Sequence, residues 1–190
     1  MAEEFEVRGA HEAHLESAAE HDPKGMAGQL AVITAVLATV GAMFSYMAGS
    51  TQADAALLKN DAAIRKTEAA NRWNYYQAKS SKQALSELGR ELAAEARKPF
   101  FEGEINRYKA EKADIKLEAE KLEQESGDFD RQSEARMHQH HRWAQATTAL
   151  QIAIAMAAIA LLTRKRWLEK AVIGVSVVGV IVGVLAYLHI

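Results

Sequence analysis

The chain has 190 residues, of which 49% are hydrophobic, 23 are basic and 25 are acidic, and it contains no cysteine. The lack of cysteine excludes disulfides, thiolate metal sites and a cysteine nucleophile. A net charge of −2, with both signs mixed along the chain, argues against nucleic-acid binding.

Residues 1–24 form an acidic tail in which His11 and His14 are three positions apart. We interpret this stretch as a short amphipathic helix ended by Asp22 and Pro23, in preference to a metal site. A cleaved signal peptide is not expected, because signal peptides begin with a short basic region.

Three segments carry no charged side chain: residues 25–53, 143–163 and 171–190. Each reaches the ~20 residues that a helix needs to cross a hydrocarbon core of about 30 Å. We therefore predict three transmembrane helices. A buried helix of a soluble bundle is the alternative for each segment.

Small residues recur four positions apart in the predicted spans, which allows close helix contacts in lipid, within one subunit or between subunits. They are Gly41, Ser45 and Gly49 in the first span, Ala149, Ala153 and Ala157 in the second, and Gly179 and Gly183 in the third. The interiors of the spans hold no ionisable group, which argues against ion-coupled transport.

The middle region, residues 54–142, is rich in Ala, Glu, Lys, Leu and Gln and is predicted to be helical. Pro99 divides it into two arms of similar length, and both arms must start and end at the same membrane face. This predicts an antiparallel hairpin that turns near Pro99, with a kink or an interruption of the returning arm at residues 126–128 and Asp128 available as a cap. The expected fold class is an all-α membrane protein with three transmembrane helices and a long extramembrane coiled-coil hairpin between the first and second.

A seven-residue repeat runs along both arms and predicts a coiled coil. Its members are Leu57, Ile64, Asn71, Ala78, Leu85 and Leu92 in the outgoing arm, and Phe101, Tyr108, Ile115, Leu122 and Phe129 in the returning arm, with Ile105 and Ala119 in the complementary position.

The string RWNYYQAKSSK, residues 72–82, is the most distinctive part of the arms. Trp73 and Tyr76 share one helix face, and Asn71 occupies a position of the seven-residue repeat where a buried asparagine fixes register and oligomeric state. We interpret the string as an assembly layer between helices; a ligand pocket is the alternative. The predicted assembly residues are Asn71, Trp73, Tyr76, Leu85, Leu92, Phe101, Tyr108, Ile115 and Leu122.

The string MHQHHRW, residues 137–143, places His138 and His141 on one helix face. Zinc usually takes three or four protein ligands, so these two histidines alone make a weak metal site. We favour an interfacial collar of polar and aromatic side chains at the membrane surface.

The loop at residues 164–170 is strongly basic, with Arg164, Lys165, Arg166 and Lys170 against a single glutamate. Short basic loops stay on the cytoplasmic side, so we expect this loop and the N-terminus in the cytoplasm. Residues 54–142 then lie in the periplasm.

Three strings carry a resemblance to a known family: RWNYYQAKSSK, the leading MAEEFE and QIAIAMAAIALLTRKRWL. On these strings the chain resembles a family of bacterial inner-membrane proteins of unknown function, domain of unknown function four-three-three-seven, over residues 3 to about 185. It implies one span, a helical middle region and two closing spans in the inner membrane. It supplies no activity, cofactor or catalytic residue.

Phosphate-loop, metalloprotease and nucleophile-elbow motifs are absent from the sequence, so we expect no enzyme activity, catalytic residue or cofactor. The leading hypothesis is a homo-oligomeric membrane scaffold whose partners are further copies of itself and lipid, with no nucleic acid and no identified small-molecule substrate. The alternative is an oligomeric channel whose path is lined by the first span, which carries Gln29, Thr34, Thr39 and Ser45.

Overall fold

The computed structural model describes residues 25–188 and contains three long α-helices. Helix α1 runs Met26–Leu92, α2 runs Lys98–Thr163 and α3 runs Arg166–Tyr187, and a 3-10 helix, Glu95–Arg97, precedes α2. Residues 25–188 contain no β-strand, so the described chain is all-α. The expectations about the tail, including His11 and His14, and about the last two residues lie outside this range.

Each long helix contains a stretch that is long and apolar enough to cross a membrane. The first two predicted spans lie inside longer helices, because the Ala-rich and Glu-rich residues beside them also favour helix. The chain forms two compact units, an arm unit of residues 54–135 and a membrane unit that comprises residues 25–53 and 136–188 of the described range.

The direction change between α1 and α2 occurs at residues 93–97, immediately before the proline that the sequence pointed to. Pro99 lies in the first turn of α2, where a missing N–H removes no helical hydrogen bond. The ring of Phe101 packs directly against Gly89. A Cβ atom at residue 89 would be only 2.6 Å from Cε1 of that ring, so a larger residue would not fit without a shift of the ring.

Of the two alternatives predicted at residues 126–128, the interruption is wrong, since α2 passes through them without a break, and the kink stays a prediction. The Ser126 hydroxyl donates a hydrogen bond to the Ala62 carbonyl oxygen at 2.9 Å, and Asp128 pairs with Arg131 in the same helix instead of capping a new one. One glycine costs a helix only about 1 kcal/mol, which such contacts offset.

The basic segment between the last two spans is shorter than the predicted loop of residues 164–170. Only Arg164 and Lys165 lie outside helices, because nothing in this segment stops α3 from starting at Arg166. Arg164 has a φ of 51°, the left-handed conformation that commonly ends a helix and that glycine usually supplies.

The core of the membrane unit combines large and very small side chains. Leu30, Leu150 and Val172 are its largest fully buried residues, while Ala153 and Ala157 have no exposed surface. Many other large apolar residues of the spans are exposed, as lipid-facing side chains are. The membrane unit thus packs through a narrow core and presents apolar side chains outward.

The predicted small-residue positions divide into two groups. Gly41, Ala153, Ala157, Gly179 and Gly183 are buried and Ala149 is half-buried, whereas Ser45 and Gly49 are exposed. A Cβ atom at residue 179 would lie 2.8 Å from Cδ2 of Leu150, and one at residue 183 would overlap the Phe44 ring. Gly179 therefore makes room for a side chain of α2, and Gly183 makes room for a side chain of α1.

We predict that Gly183→Ala destabilises the membrane unit by about 1–3 kcal/mol, because the added methyl group displaces Phe44. Gly174→Ala is the matched control, since a Cβ atom there meets nothing within 4 Å. Thermal unfolding in mild detergent compares the two variants with the wild type. Equal melting temperatures for both would contradict the packing of Phe44 on Gly183.

Candidate functional site

The two helices of the arm unit meet through small side chains. Ala55, Ala62 and Ala69 lie seven residues apart on α1 and are at most 3% exposed. On α2, the hydroxyl of Ser133 donates to the carbonyl oxygen of Ala55 at 2.8 Å, as Ser126 does to that of Ala62. A side-chain hydroxyl reaches a backbone carbonyl of the other helix only when the two helices approach closely.

Ion pairs border this contact along its length. From pair to pair the residue number increases on α1 and decreases on α2, as expected for antiparallel helices. The pairs are Lys59 with Asp130 at 2.7 Å, Arg65 with Glu125 at 3.3 Å, Arg72 with Glu118 at 3.2 Å and Lys79 with Glu111 at 2.5 Å. Most of these groups are substantially exposed, so each pair contributes little to stability and serves mainly to match the two helices in register.

The aromatic residues of RWNYYQAKSSK contact α2. The Trp73 Nε1–H donates a hydrogen bond to Glu123 Oε1 at 2.9 Å, and the Trp73 and Tyr76 rings meet edge to face with centroids 5.6 Å apart. The ammonium group of Lys112 lies 4.9 Å from the centroid of the Tyr76 ring. This cluster joins the two helices of one chain.

Lys79 is the most enclosed cation of the arm pairs, with a side chain 14% exposed. Its Nζ atom lies 5.1 Å from the centroid of Tyr75 and 5.6 Å from that of Tyr108. The close ion pair with Glu111 raises the pKa of Lys79, with Tyr75 contributing, and the same pair lowers the pKa of Glu111.

The predicted assembly residues fall in two places. Ile115 is buried, and Trp73, Tyr76, Phe101, Tyr108 and Leu122 are partly buried at the contact between α1 and α2. Asn71, Leu85 and Leu92 are exposed on α1, the two leucines by 68% and 79%. The outgoing repeat thus lies on the side of α1 that α2 does not cover.

This uncovered side of α1 is free of charge, and we call it the neutral face. Three adjacent lines of residues, each repeating every seven positions, make it up, and all of their members are exposed. The lines are Ala56, Ala63, Ala70, Gln77 and Ala84; Asn60, Thr67, Asn74, Ser81 and Leu88; and Leu57, Ile64, Asn71, Ala78 and Leu85. The first two lines were missed from the sequence, although the absence of charge at every third and fourth residue is visible there.

The two edges of the neutral face carry opposite charges at matching levels. One edge has Lys59 and Lys66 near its start and Glu87 near its end. The other edge has Asp61 and Glu68 near its start and Lys82 near its end, which is the reverse order of sign.

A cavity of about 510 Å³ opens beside Asn71 and bears on the ligand-pocket alternative. It is lined by Arg65, Glu68, Asn71, Arg72, Tyr75 and Leu122. Its two arginines already pair with glutamates of the same chain, so the charges of the cavity are compensated without a ligand.

His138 and His141 lie on the exposed surface of the membrane unit. Within residues 25–188, no group of three histidine or carboxylate side chains is placed to hold a metal ion. The polar residues of the first span also differ in environment: Gln29, Thr39 and Ser45 are exposed and Thr34 is buried.

Three apolar helices long enough to cross a bilayer, with charged helical segments between the first two, place this chain in the class of α-helical membrane proteins. The chain belongs to the family described as Domain of unknown function (DUF4337), which matches residues 26–189. The family resemblance seen in the sequence is therefore confirmed. Comparison with curated proteins and with solved structures finds no match.

The shifted pKa values of Lys79 and Glu111 predict how the arm unit responds to pH. Because the pKa of Glu111 is lowered on folding, its contribution is complete above about pH 4.5 and is lost as the pH falls through the lowered value. Because the pKa of Lys79 is raised, its contribution is complete below about pH 10.5 and is lost as the pH rises through the raised value.

We therefore expect Glu111→Gln to lower the melting temperature most between these limits, and to differ less from the wild type in acid. Circular dichroism melts of the full chain in detergent at several pH values measure this difference. Glu120→Gln, which loses only an exposed pair with Lys116 in its own helix, is the control. A difference for Glu111→Gln that persists unchanged in strong acid would show that the pair with Lys79 does not operate.

Proposed function

We propose that this protein is a non-enzymatic, homo-oligomeric scaffold of a bacterial inner membrane. In this proposal the arms of each chain form an antiparallel coiled-coil hairpin, and hairpins of neighbouring chains associate through the neutral face. The observation that carries the proposal is the continuous uncharged and exposed surface of α1 from residue 56 to residue 88.

An uncharged face is unusual for a helix that remains in water. Charged residues make up 25% of this chain, and most of them lie in the arms. Charges are depleted at the centres of protein interfaces, because burying them costs solvation energy. One seven-residue repeat ends in Leu85 and Leu92 and the adjacent one in Leu88, and repeats of this kind are typical of a helix that packs along another helix.

The edges of the neutral face favour a second copy of the chain as the partner. Each copy enters the membrane through the same end of α1, so neighbouring arms run in the same direction. In a symmetric parallel pair or ring, one edge of a helix faces the other edge of its neighbour. Lys59 and Lys66 then meet Asp61 and Glu68 of the neighbouring chain, and Glu87 meets Lys82.

The mixed composition of the face fits an assembly with defined register. Ile64 and Leu85 supply apolar contact near its two ends, while Asn71 and Asn74 supply amides near its middle. A buried amide at a seam restricts the number of helices that can associate at a cost in stability. Both asparagines are exposed in the single chain, so a partner chain is needed to bury them.

The channel hypothesis has weaker support than the scaffold. The hydroxyl groups of Thr34 and Thr39 each donate to a carbonyl oxygen of their own helix, at 2.8 and 3.0 Å. Gln29, Thr39 and Ser45 are spread around α1 instead of forming one polar line. Conductance of the reconstituted protein in a planar bilayer would favour the channel.

We predict that Ile64→Lys and Leu85→Lys each weaken assembly by about 3 kcal/mol or more, because each leaves an unpaired charge in the interface. Light scattering of the purified protein in mild detergent, over a range of concentrations, measures the mass. Leu117→Lys is the matched control, since Leu117 is a similarly exposed leucine of the arm unit on α2, outside the neutral face. A wild-type monomer at micromolar concentration would refute the proposal, as would loss of assembly in all three variants alike.

Reversing charges at the two edges tests the parallel arrangement. Lys66→Glu alone places like charges opposite each other and weakens assembly several-fold. Lys66→Glu combined with Glu68→Lys exchanges the two edges in every copy and restores it. An antiparallel arrangement, in which like edges meet, predicts no such rescue.

We further propose an orientation with the N-terminus and the basic turn at Arg164 and Lys165 in the cytoplasm and residues 54–142 in the periplasm. The basis is the four cations at residues 164–170, which hold the short turn on the cytoplasmic side.

A cysteine-free chain allows a direct test of orientation. We expect Ala113→Cys and Gln124→Cys, both exposed on α2, to react with a membrane-impermeant thiol reagent once the outer membrane is permeabilised. Ala10→Cys, in the tail, should react only after the inner membrane is lysed. The opposite labelling pattern would reverse the proposed orientation.

A further inference from the structure

A cavity of about 400 Å³ opens at one end of the membrane unit, between α2 and α3. Its walls differ in chemistry: α2 contributes only polar groups and α3 only apolar ones. The lining residues are His138, His141, Arg142 and Gln145 of α2 and Val182 and Leu185 of α3.

The polar wall is built by helical spacing. From His138, the other three residues follow at three, four and seven positions, which places all four on one face of α2. Together they offer a guanidinium group, two imidazole rings and a carboxamide to one space, and none of the described residues that line it carries a carboxylate. Within residues 25–188, no ion pair involves Arg142.

The two walls are held together by contacts beside the cavity. Gln139 donates a hydrogen bond from Nε2 to the carbonyl oxygen of Ala186 at 3.3 Å, which joins α2 to α3. Trp143, the neighbour of Arg142, is only 3% exposed and lies against Phe44 with ring centroids 5.1 Å apart. These contacts hold α2 in the orientation in which the face that carries Arg142 lines the cavity.

The position of the cavity along the chain defines its surroundings. Arg142 is the last charged residue before the uncharged segment 143–163, so its guanidinium lies at the level of the lipid headgroups. Val182 and Leu185 belong to the apolar segment of α3. The cavity therefore has a cationic wall close to an aliphatic wall. A phospholipid has a matching arrangement, with an anionic phosphate close to the start of its acyl chains.

We propose that this cavity binds the phosphate group of an anionic glycerophospholipid. Arg142 receives the phosphate through paired N–H donors, a geometry in which guanidinium groups match phosphate oxygens. His138, His141 and Gln145 add donors to the headgroup, while Val182 and Leu185 contact the start of an acyl chain. The proposal does not depend on association of the arms.

The test uses the full chain, purified in detergent and stripped of lipid. Short-chain phosphatidylglycerol, phosphatidylcholine of the same chain length and inorganic phosphate are added separately, and binding is measured by native mass spectrometry and thermal shift. We expect phosphatidylglycerol to bind and stabilise the protein, and inorganic phosphate at the same concentration to have little effect.

Arg142→Gln should bind phosphatidylglycerol about tenfold more weakly, because one set of charge-assisted hydrogen bonds is lost. Arg142→Lys keeps the charge and loses the paired geometry, so it should also bind more weakly and serves if the glutamine variant does not fold. Lys165→Gln removes one positive charge outside the cavity and should bind as the wild type does. Leu185→Ser should weaken phosphatidylglycerol binding through the apolar wall.

Three results would overturn the proposal. Equal binding by the wild type, Arg142→Gln and Arg142→Lys would remove Arg142 from the site. An equal loss in Lys165→Gln would show a general attraction of anionic lipid to the protein. Stabilisation by inorganic phosphate as strong as that by phosphatidylglycerol, with no effect of Leu185→Ser, would assign the cavity to a free anion.

Discussion

The arm unit depends on the close approach of α1 and α2 at alanine and serine. Only a small residue at every seventh position of both helices lets the hydroxyl groups of Ser126 and Ser133 reach carbonyl oxygens of the opposite helix. This contact fixes which side of α1 faces α2, and so it also fixes which side remains open. Between residues 55 and 69 the inner side of α1 is occupied by alanines, and the larger apolar residues Leu57 and Ile64 are exposed on the neutral face.

Glycine and alanine play the same part in the membrane unit, where water provides no hydrophobic driving force between helices. Gly179 and Gly183 admit Leu150 and the ring of Phe44, and the contacts that result are those of van der Waals packing. Polar groups cluster instead at one end, where Gln139 and His140 reach carbonyl oxygens of α3 and α1. Small side chains thus allow close helix packing in both units, and in the arm unit serine hydroxyl groups add hydrogen bonds between the helices.

The sequence predicted the larger features of the fold and missed the details that depend on a partner helix. Three uncharged stretches, helical composition and Pro99 were enough for an all-α chain with three membrane-crossing candidates. For the returning arm, the predicted repeat includes Ile105 and Ile115, which are buried. For the outgoing arm, the predicted repeat consists mainly of large apolar residues, and these are exposed. The residues of α1 that are buried against α2 include Ala55 and Ala62. An alanine repeat is hard to recognise from one helix, since alanine is also the commonest choice for a plain helical surface.

The turn between α2 and α3 has a consequence for how the protein enters its membrane. With only Arg164 and Lys165 between the helices, the chain has no slack that would let one helix cross the bilayer while the other waits outside. In the proposed topology, α2 and α3 would then be inserted together, as a single antiparallel pair with Arg164 and Lys165 at its tip. That topology would therefore need two insertion events for the described helices, one for the apolar part of α1 and one for the pair of α2 and α3.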